Sequence, residues 1–230
     1  MRKELLILGA IIVVVAIGLA VGSSYYRSSL QNTRVTTNTS GNSNKPSVNP
    51  ETLVRPDSHA LGASDARVTL VEFLDPECEA CAAFNPVLKK MLNDYAGKIR
   101  LVVRYMPLHP NSMTAATFME AAGEQGKYWQ ALDLLFRKQS EWGQKHGQPT
   151  ASESDTKAQF DKYAQELGLD MTKTDQAIRS RQYEAKINRD KNDGQSLGVR
   201  QTPTVFVNGR QLLGIDERQL RSMIEEELQK

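Results

Sequence analysis

The sequence predicts one α/β layered domain with a helical block set into its middle, preceded by a single transmembrane helix and a flexible linker. Three observations carry that reading. A β-branched and aromatic run, a helical run and a second β-branched run follow one another between residues 68 and 105. Near the carboxyl terminus a strand, an Asn-Gly turn and a return strand form a hairpin signal. The stretch between them has helical spacing. An isolated hairpin is marginal in water, so the late strands need the early sheet to pack against, and one core results rather than two.

Residues 5–21 (LLILGAIIVVVAIGLAV) are seventeen consecutive apolar or glycine positions behind Met1-Arg2-Lys3-Glu4. At about 1.5 Å per helical residue this run just crosses a hydrocarbon core. It exceeds the roughly 7–15 apolar residues of a signal-peptide core, so residues 1–22 read as a retained signal anchor rather than a peptide cleaved near Ala20-Val21-Gly22. Arg2 and Lys3 favour a cytoplasmic amino terminus, and everything beyond the span is then exported. Residues 23–54 are rich in Ser, Thr and Asn and lack sustained apolar periodicity, which predicts a flexible linker. The folded domain is expected over residues 55–230.

Val68 to Leu74 (VTLVEFL) reads as a buried strand stopped at Asp75-Pro76. From Glu79 to Tyr95 apolar residues recur at steps of three and four, with Gly97 as the stop and Pro86 as an expected kink. Ile99 to Tyr105 is a second strand. The helical insertion, about 110–198, contains helical stretches at Met113 to Trp142, Phe160 to Leu167 and Ala177 to Leu197. Thr204 to Val207, the Asn208-Gly209 turn and Arg210 to Leu213 make the hairpin, and Glu217 to Leu228 closes the domain as a helix capped by Asp216.

Composition removes several function classes. Hydrophobic residues at 40% and charged residues at 24% exclude wholesale disorder and a polytopic membrane protein. Beyond residue 50 there are 24 basic and 26 acidic residues, which speaks against a nucleic-acid surface. The two cysteines, Cys78 and Cys81, cannot staple a miniature fold or complete a four-cysteine zinc site within one chain.

Cys78-Glu79-Ala80-Cys81 stands where a strand ends and a helix begins. There the first sulfur meets unpaired backbone N–H groups and the positive end of the helix dipole, both of which favour the thiolate that attacks disulfides. A stapled turn is the weaker alternative, because so short a loop removes little unfolded-state entropy. Half a metal site is another, and it would need His59, His109, His146 or a second chain, none at a zinc-like spacing. No resident metal or cofactor is expected. Thr202-Pro203 opens the third strand, where a proline belongs at an edge or in a cis turn.

With those residues in view, the chain resembles the DsbA-like branch of the thioredoxin-fold thiol-disulfide oxidoreductases. The matching segments are LGASDARVTLVEFLDPECEACAAF (61–84), MPLHPNSMTAATFMEAAGEQGKYWQALDLLF (106–136) and GVRQTPTVFVNG (198–209). The resemblance implies a thioredoxin fold with an inserted helical subdomain. It implies Cys78 as the exposed nucleophile, Cys81 as the resolving thiol and Pro203 as a cis-proline. Thr202 and Gln201 beside that proline would offer backbone to an extended substrate strand. Glu72 takes the position of an acid buried beneath the site, able to exchange a proton with Cys81 if its pKa is raised. An exposed Glu72, or one paired with Arg104, is the bland alternative. His109, between two prolines, reads as structural.

The chain departs from the family between its cysteines, where proline and often histidine are replaced by Glu79 and Ala80. Carboxylates at Glu79, Glu77 and Asp75 are expected to oppose thiolate formation at Cys78 and make the couple more reducing. The function expected is an extracytoplasmic thiol-disulfide oxidoreductase, leaning to reductase or isomerase over strong oxidase. It would sit on the periplasmic side of a bacterial inner membrane or at the cell surface. Its partners would be exported cysteine-containing clients and a membrane redox partner that resets the pair. The competing reading is a module of the cell envelope that binds copper or zinc through its thiolates.

Overall fold

The computed structural model describes residues 48–144 and 153–230, which lie within one compact unit, Lys45–Lys230. The expected anchor over residues 1–22, and the linker as far as residue 47, fall outside the described residues. Among the described residues no helix is long and apolar enough to cross a membrane.

In chain order the elements are α1 (Pro50–Leu53), β1 (Ala60–Gly62), β2 (Val68–Leu74), α2 (Glu79–Asp94) and β3 (Ile99–Tyr105). The insertion follows as α3 (Ser112–Gly123), α4 (Tyr128–Arg137), α5 (Gln139–Trp142), α6 (Glu153–Glu166), α7 (Met171–Arg179) and α8 (Glu184–Ser196). Then come β4 (Thr204–Val207), β5 (Arg210–Gln211) and α9 (Glu217–Leu228). The sheet has the order β1-β3-β2-β4-β5. β2 runs parallel to β3 and antiparallel to β4, with Glu72 opposite Val103 on one side and Val205 on the other.

β2 is covered on both faces, which is why its sequence is an almost unbroken apolar run. Val68 and Leu70 point to one face, against Phe84, Leu88 and Met91 of α2 and Leu220 and Ile224 of α9. Leu74, further along that face, joins both cysteines and the insertion, where Phe118 of α3 stacks on Phe160 of α6 at 5.3 Å. Val71 and Phe73 point the other way, into a cluster with Leu53, Val102, Met106, Val199 and Phe206. Asp216 caps α9 by accepting from the Gln219 N–H at 2.8 Å.

Four differences from the expected elements have local causes. The stretch expected from Met113 to Trp142 divides at Gly126, whose φ of +72° a helix cannot hold, and again near Lys138. Ala177 to Leu197 is broken at Arg181, which has φ of 53°, so α7 and α8 are separate. β1 was not expected because three residues are too few for periodicity, and β5 stops two residues before Leu213. Finally, at the end of the expected linker a short helix, α1, and the residues on either side of it take part in the fold. Leu53 is wholly buried and the Val48 N–H donates to the Gly209 carbonyl at 2.9 Å.

Candidate functional site

β2 delivers the chain to a tight turn, Asp75 to Glu77, and Cys78 is the N-cap of α2 with extended backbone (φ −77°, ψ 119°). No side chain caps this helix, so its first N–H groups are left for the Cys78 sulfur. The N–H groups of Ala80 and Cys81 both favour the thiolate. Cys78 is 8% exposed and Cys81, one turn further in, is 0% exposed. Pro203, buried just before β4, follows a cis peptide from Thr202. The Thr202 carbonyl lies 3.3 Å from the Cys78 sulfur and accepts from it when it is a thiol.

The acidities of the two thiols diverge. The Cys81 thiol donates to Cys78, and this hydrogen bond, helped by the Thr202 side chain and the helix N–H groups, outweighs burial and draws the Cys78 pKa down to about 5. Cys81 goes the other way: burial first, then its role as donor to Cys78 and the nearby charge of Glu72, hold it well above an ordinary thiol. Glu72 itself is buried, and its Oε1 has no hydrogen-bond partner among the described residues. Burial, and then the Cys78 negative charge, push Glu72 up to about 8, so at neutral pH it is mostly protonated. It is not paired with Arg104, which is engaged by Asp190 and Asp193.

The acids around Cys78 do not act as expected. The buried Asp75 carboxylate accepts from the backbone N–H groups of Glu77 (2.8 Å) and Leu108 (2.7 Å), from His109 and from the Ser112 hydroxyl. The buried Glu77 carboxylate accepts from the Asn111 N–H at 2.6 Å, the Asn111 side chain at 2.8 Å and the Gln144 N–H at 2.7 Å. Both carboxylates are thus spent fastening the nucleophile's turn to the segment between β3 and α3. Glu79 is exposed at the first turn of α2, where water screens it, and Ala80 is half-buried. With these acids nearby, the hydrogen bonds to Cys78 still draw its pKa down.

Of the other residues singled out, Thr202 is half-buried beside the sulfur, while Gln201 is exposed and accepts from the Thr204 hydroxyl through its carbonyl at 2.8 Å. The network of Asp75, Glu77, Asn111 and Ser112 was not foreseen. Its only sequence signal is an aspartate three residues before a helix N-cap, whose side chain can accept from the N–H two residues on in an Asx turn. Among the described residues no group of three or more His, Cys, Asp or Glu side chains is placed to hold a metal ion.

Residues 55–226 match the family described as Thioredoxin. The Na(+)/H(+) antiporter NhaA of Herminiimonas arsenicoxydans is 33% identical over 182 residues, which is 79% of this chain and 26% of the antiporter. NhaA 3 of Salinispora tropica is 35% identical over 161 residues, 68% of this chain and 22% of that protein. The chain thus spans about a quarter of the length of these curated relatives. BdbD from Bacillus subtilis superposes with a TM-score of 0.67 at 22% identity, covering 75% of this chain and 94% of that one, a likeness of fold. Pseudomonas aeruginosa DsbA2 is 26% identical with a TM-score of 0.58, covering 75% and 96%.

Proposed function

The chain belongs to the thioredoxin family, and from that premise we propose that it is an extracytoplasmic thiol-disulfide oxidoreductase that donates the Cys78–Cys81 disulfide to exported proteins. One observation carries the direction: Cys78 is drawn down to about 5 while Cys81 lies well above an ordinary thiol, over a mostly protonated Glu72. A stabilised thiolate favours the reduced enzyme, and a stable reduced form makes the oxidised form a donor. Against the lean towards reduction drawn from the neighbouring acids, two of them are also engaged as hydrogen-bond acceptors in the Asn111–Ser112 network.

The reaction runs in two exchanges. A client thiolate attacks the Cys78 sulfur, the Cys78–Cys81 bond breaks, and Cys81 leaves and takes a proton, for which Glu72 is the buried donor. A second client thiolate then attacks the client sulfur of the mixed disulfide, and Cys78 leaves as a thiolate. The client loses two electrons and the enzyme gains them. Gln201 and Thr202 present backbone beside Pro203 for an extended client strand. The anchor over residues 5–21 would hold the domain at the membrane, where a redox partner withdraws the two electrons and restores the disulfide.

The test is the redox equilibrium of the full chain against glutathione, read by mass after thiol trapping. A potential between about −120 and −180 mV supports donation, and one below about −200 mV assigns reduction or shuffling instead.

A further inference from the structure

The helical insertion encloses a polar cavity that the thiol chemistry does not use. Its volume is about 610 Å³, and it lies among α3, α6 and the joint between α7 and α8. Met113, Thr114 and Thr117 line it from one face of α3. Thr117 is only 4% exposed, yet its hydroxyl has no hydrogen-bond partner among the described residues. Comparable hydroxyls in the neighbouring helices are satisfied locally: Thr174 of α7 donates to the Asp170 carbonyl and Ser196 of α8 to the Asn192 carbonyl, each at 2.9 Å. A buried hydroxyl without a partner is costly, and this one borders the cavity. The backbone of α3 adds donors to the same wall. The Ser112 N–H returns to the His109 carbonyl at 3.3 Å and no side chain caps the helix, so the N–H groups of Met113 and Thr114 have no acceptor among the described residues.

The charges that line the cavity are of both signs. Lys157 is held by Asp161 at 2.7 Å and Asp175 at 2.9 Å, and Asp175 also takes Arg179 at 2.7 Å. That leaves Arg181 and Glu184, 3.7 Å apart and so beyond hydrogen-bond reach, with side chains 78% and 38% exposed. We propose that this cavity binds a short peptide with free termini: its carboxylate meets Arg181 and the N-terminus of α3, its ammonium meets Glu184, and its main chain accepts from the Thr117 hydroxyl. The helix N-terminus and the guanidinium both favour a carboxylate. A simple anion would leave Glu184 opposed and a simple cation would leave Arg181 opposed, whereas a zwitterion matches each. A cavity of this size falls within the range of roughly 300–1,000 Å³ that holds small molecules. No electrons pass at this site, so the inference goes beyond the thiol-disulfide reading and does not depend on it.

NMR titration of the full chain with trialanine tests the proposal, with N-acetyl-trialanine amide and acetate as the comparison probes. Trialanine should shift the amide signals of Met113, Thr114 and Thr117 saturably, with a dissociation constant of about 1 mM or tighter. The blocked peptide, which keeps the main chain without the charges, and acetate, which keeps one charge, should each bind about tenfold more weakly or worse. Thr117→Val removes the hydroxyl at nearly constant volume and should weaken trialanine about tenfold, while the melting temperature of the free protein does not fall, since no hydrogen bond is lost. Arg181→Gly suits the left-handed backbone at that position, where φ is 53°, and should weaken trialanine by a similar factor. Absence of saturable shifts at these amides, equal binding of either comparison probe, or unchanged affinity in a folded variant overturns the proposal. Should Thr117→Val fail to fold, Arg181→Gly, at an exposed joint, decides.

Discussion

Glu72 and Arg104 stand on neighbouring strands one position out of register, so the carboxyl and the guanidinium leave the sheet on opposite faces. Arg104 is thereby committed to Asp190 and Asp193, and Glu72 is left under the cysteines with no cation of its own. The same offset creates a buried acid on one face and a buried ion cluster on the other.

Glu72→Gln should stabilise the reduced protein in alkali and leave it unchanged in acid. An acid whose folded pKa lies above its unfolded value costs nothing below the unfolded value, near 4.5, and costs more as pH rises until the folded value, about 8, is passed. The full cost is on the order of 3–5 kcal/mol. Urea midpoints at pH 4.5 and pH 8.5 check it, and an equal gap at both pH values would refute the buried, raised Glu72. The same variant should slow client oxidation about tenfold or more, since Cys81 loses its proton donor.

Reduced Cys78 should alkylate with a half-maximal rate near pH 5, with Cys81 unmodified in the folded protein. A thiol whose folded pKa lies below its unfolded one adds stability that is complete above the unfolded value, near 9, and is lost as pH falls through about 5. At pH 7 the reduced form should therefore melt above the disulfide form. Mass analysis after iodoacetamide and paired calorimetric scans test the two statements, and a less stable reduced form would contradict the proposed direction of transfer.

Arg104→Met should destabilise the domain by about 3–5 kcal/mol. Arg104 and Asp190 are both buried; their Nε and Oδ1 atoms lie 2.9 Å apart, an ion pair outside hydrogen-bond angles, and Arg104 also donates to the Leu53 carbonyl at 2.7 Å. Removing the cation strands a carboxylate, so adding Asp190→Asn should recover part of the loss. Denaturant melts of the single and double variants measure it; no recovery would mean that the lost Leu53 contact dominates.

Gly194→Ala tests a competition between helix propensity and packing. In an open helix the change gains about 1 kcal/mol. Here the new Cβ would lie 2.9 Å from Cδ1 and Cε1 of the wholly buried Phe73 ring, and overpacking of this kind costs about 1–3 kcal/mol. A net loss in thermal stability is expected, and a gain would show that the ring has room to move.

The parts legible in the sequence are those where one local rule had no rival. β2 and β3 were bounded to the residue because β-branched runs end at Asp75-Pro76 and Met106-Pro107, and α9 because Asp216 caps it. The helical insertion was legible as a block and less so in its joints, since Gly126 and the left-handed Arg181 interrupt a spacing that otherwise continues. At the site, the cysteine pair and Thr202-Pro203 could be read from residue type and order. What the neighbouring acids do could not. Near in sequence, Asp75 and Glu77 look like charges beside a thiol, and only residues 34 to 37 positions away, Asn111 and Ser112, reveal them as hydrogen-bond acceptors turned inward.

The tie between Val48 and Gly209 fixes the pole at which the chain enters the domain. Gly209 belongs to the hairpin turn beside Thr69, at the start of β2, whereas Cys78 follows the end of that strand. Seven residues of strand at about 3.3 Å each separate the two ends by roughly 20 Å. The sulfur therefore lies towards the end of β2 away from the point at which the chain enters, so a change in the segment before Val48 acts on the pole of the domain remote from the cysteine pair.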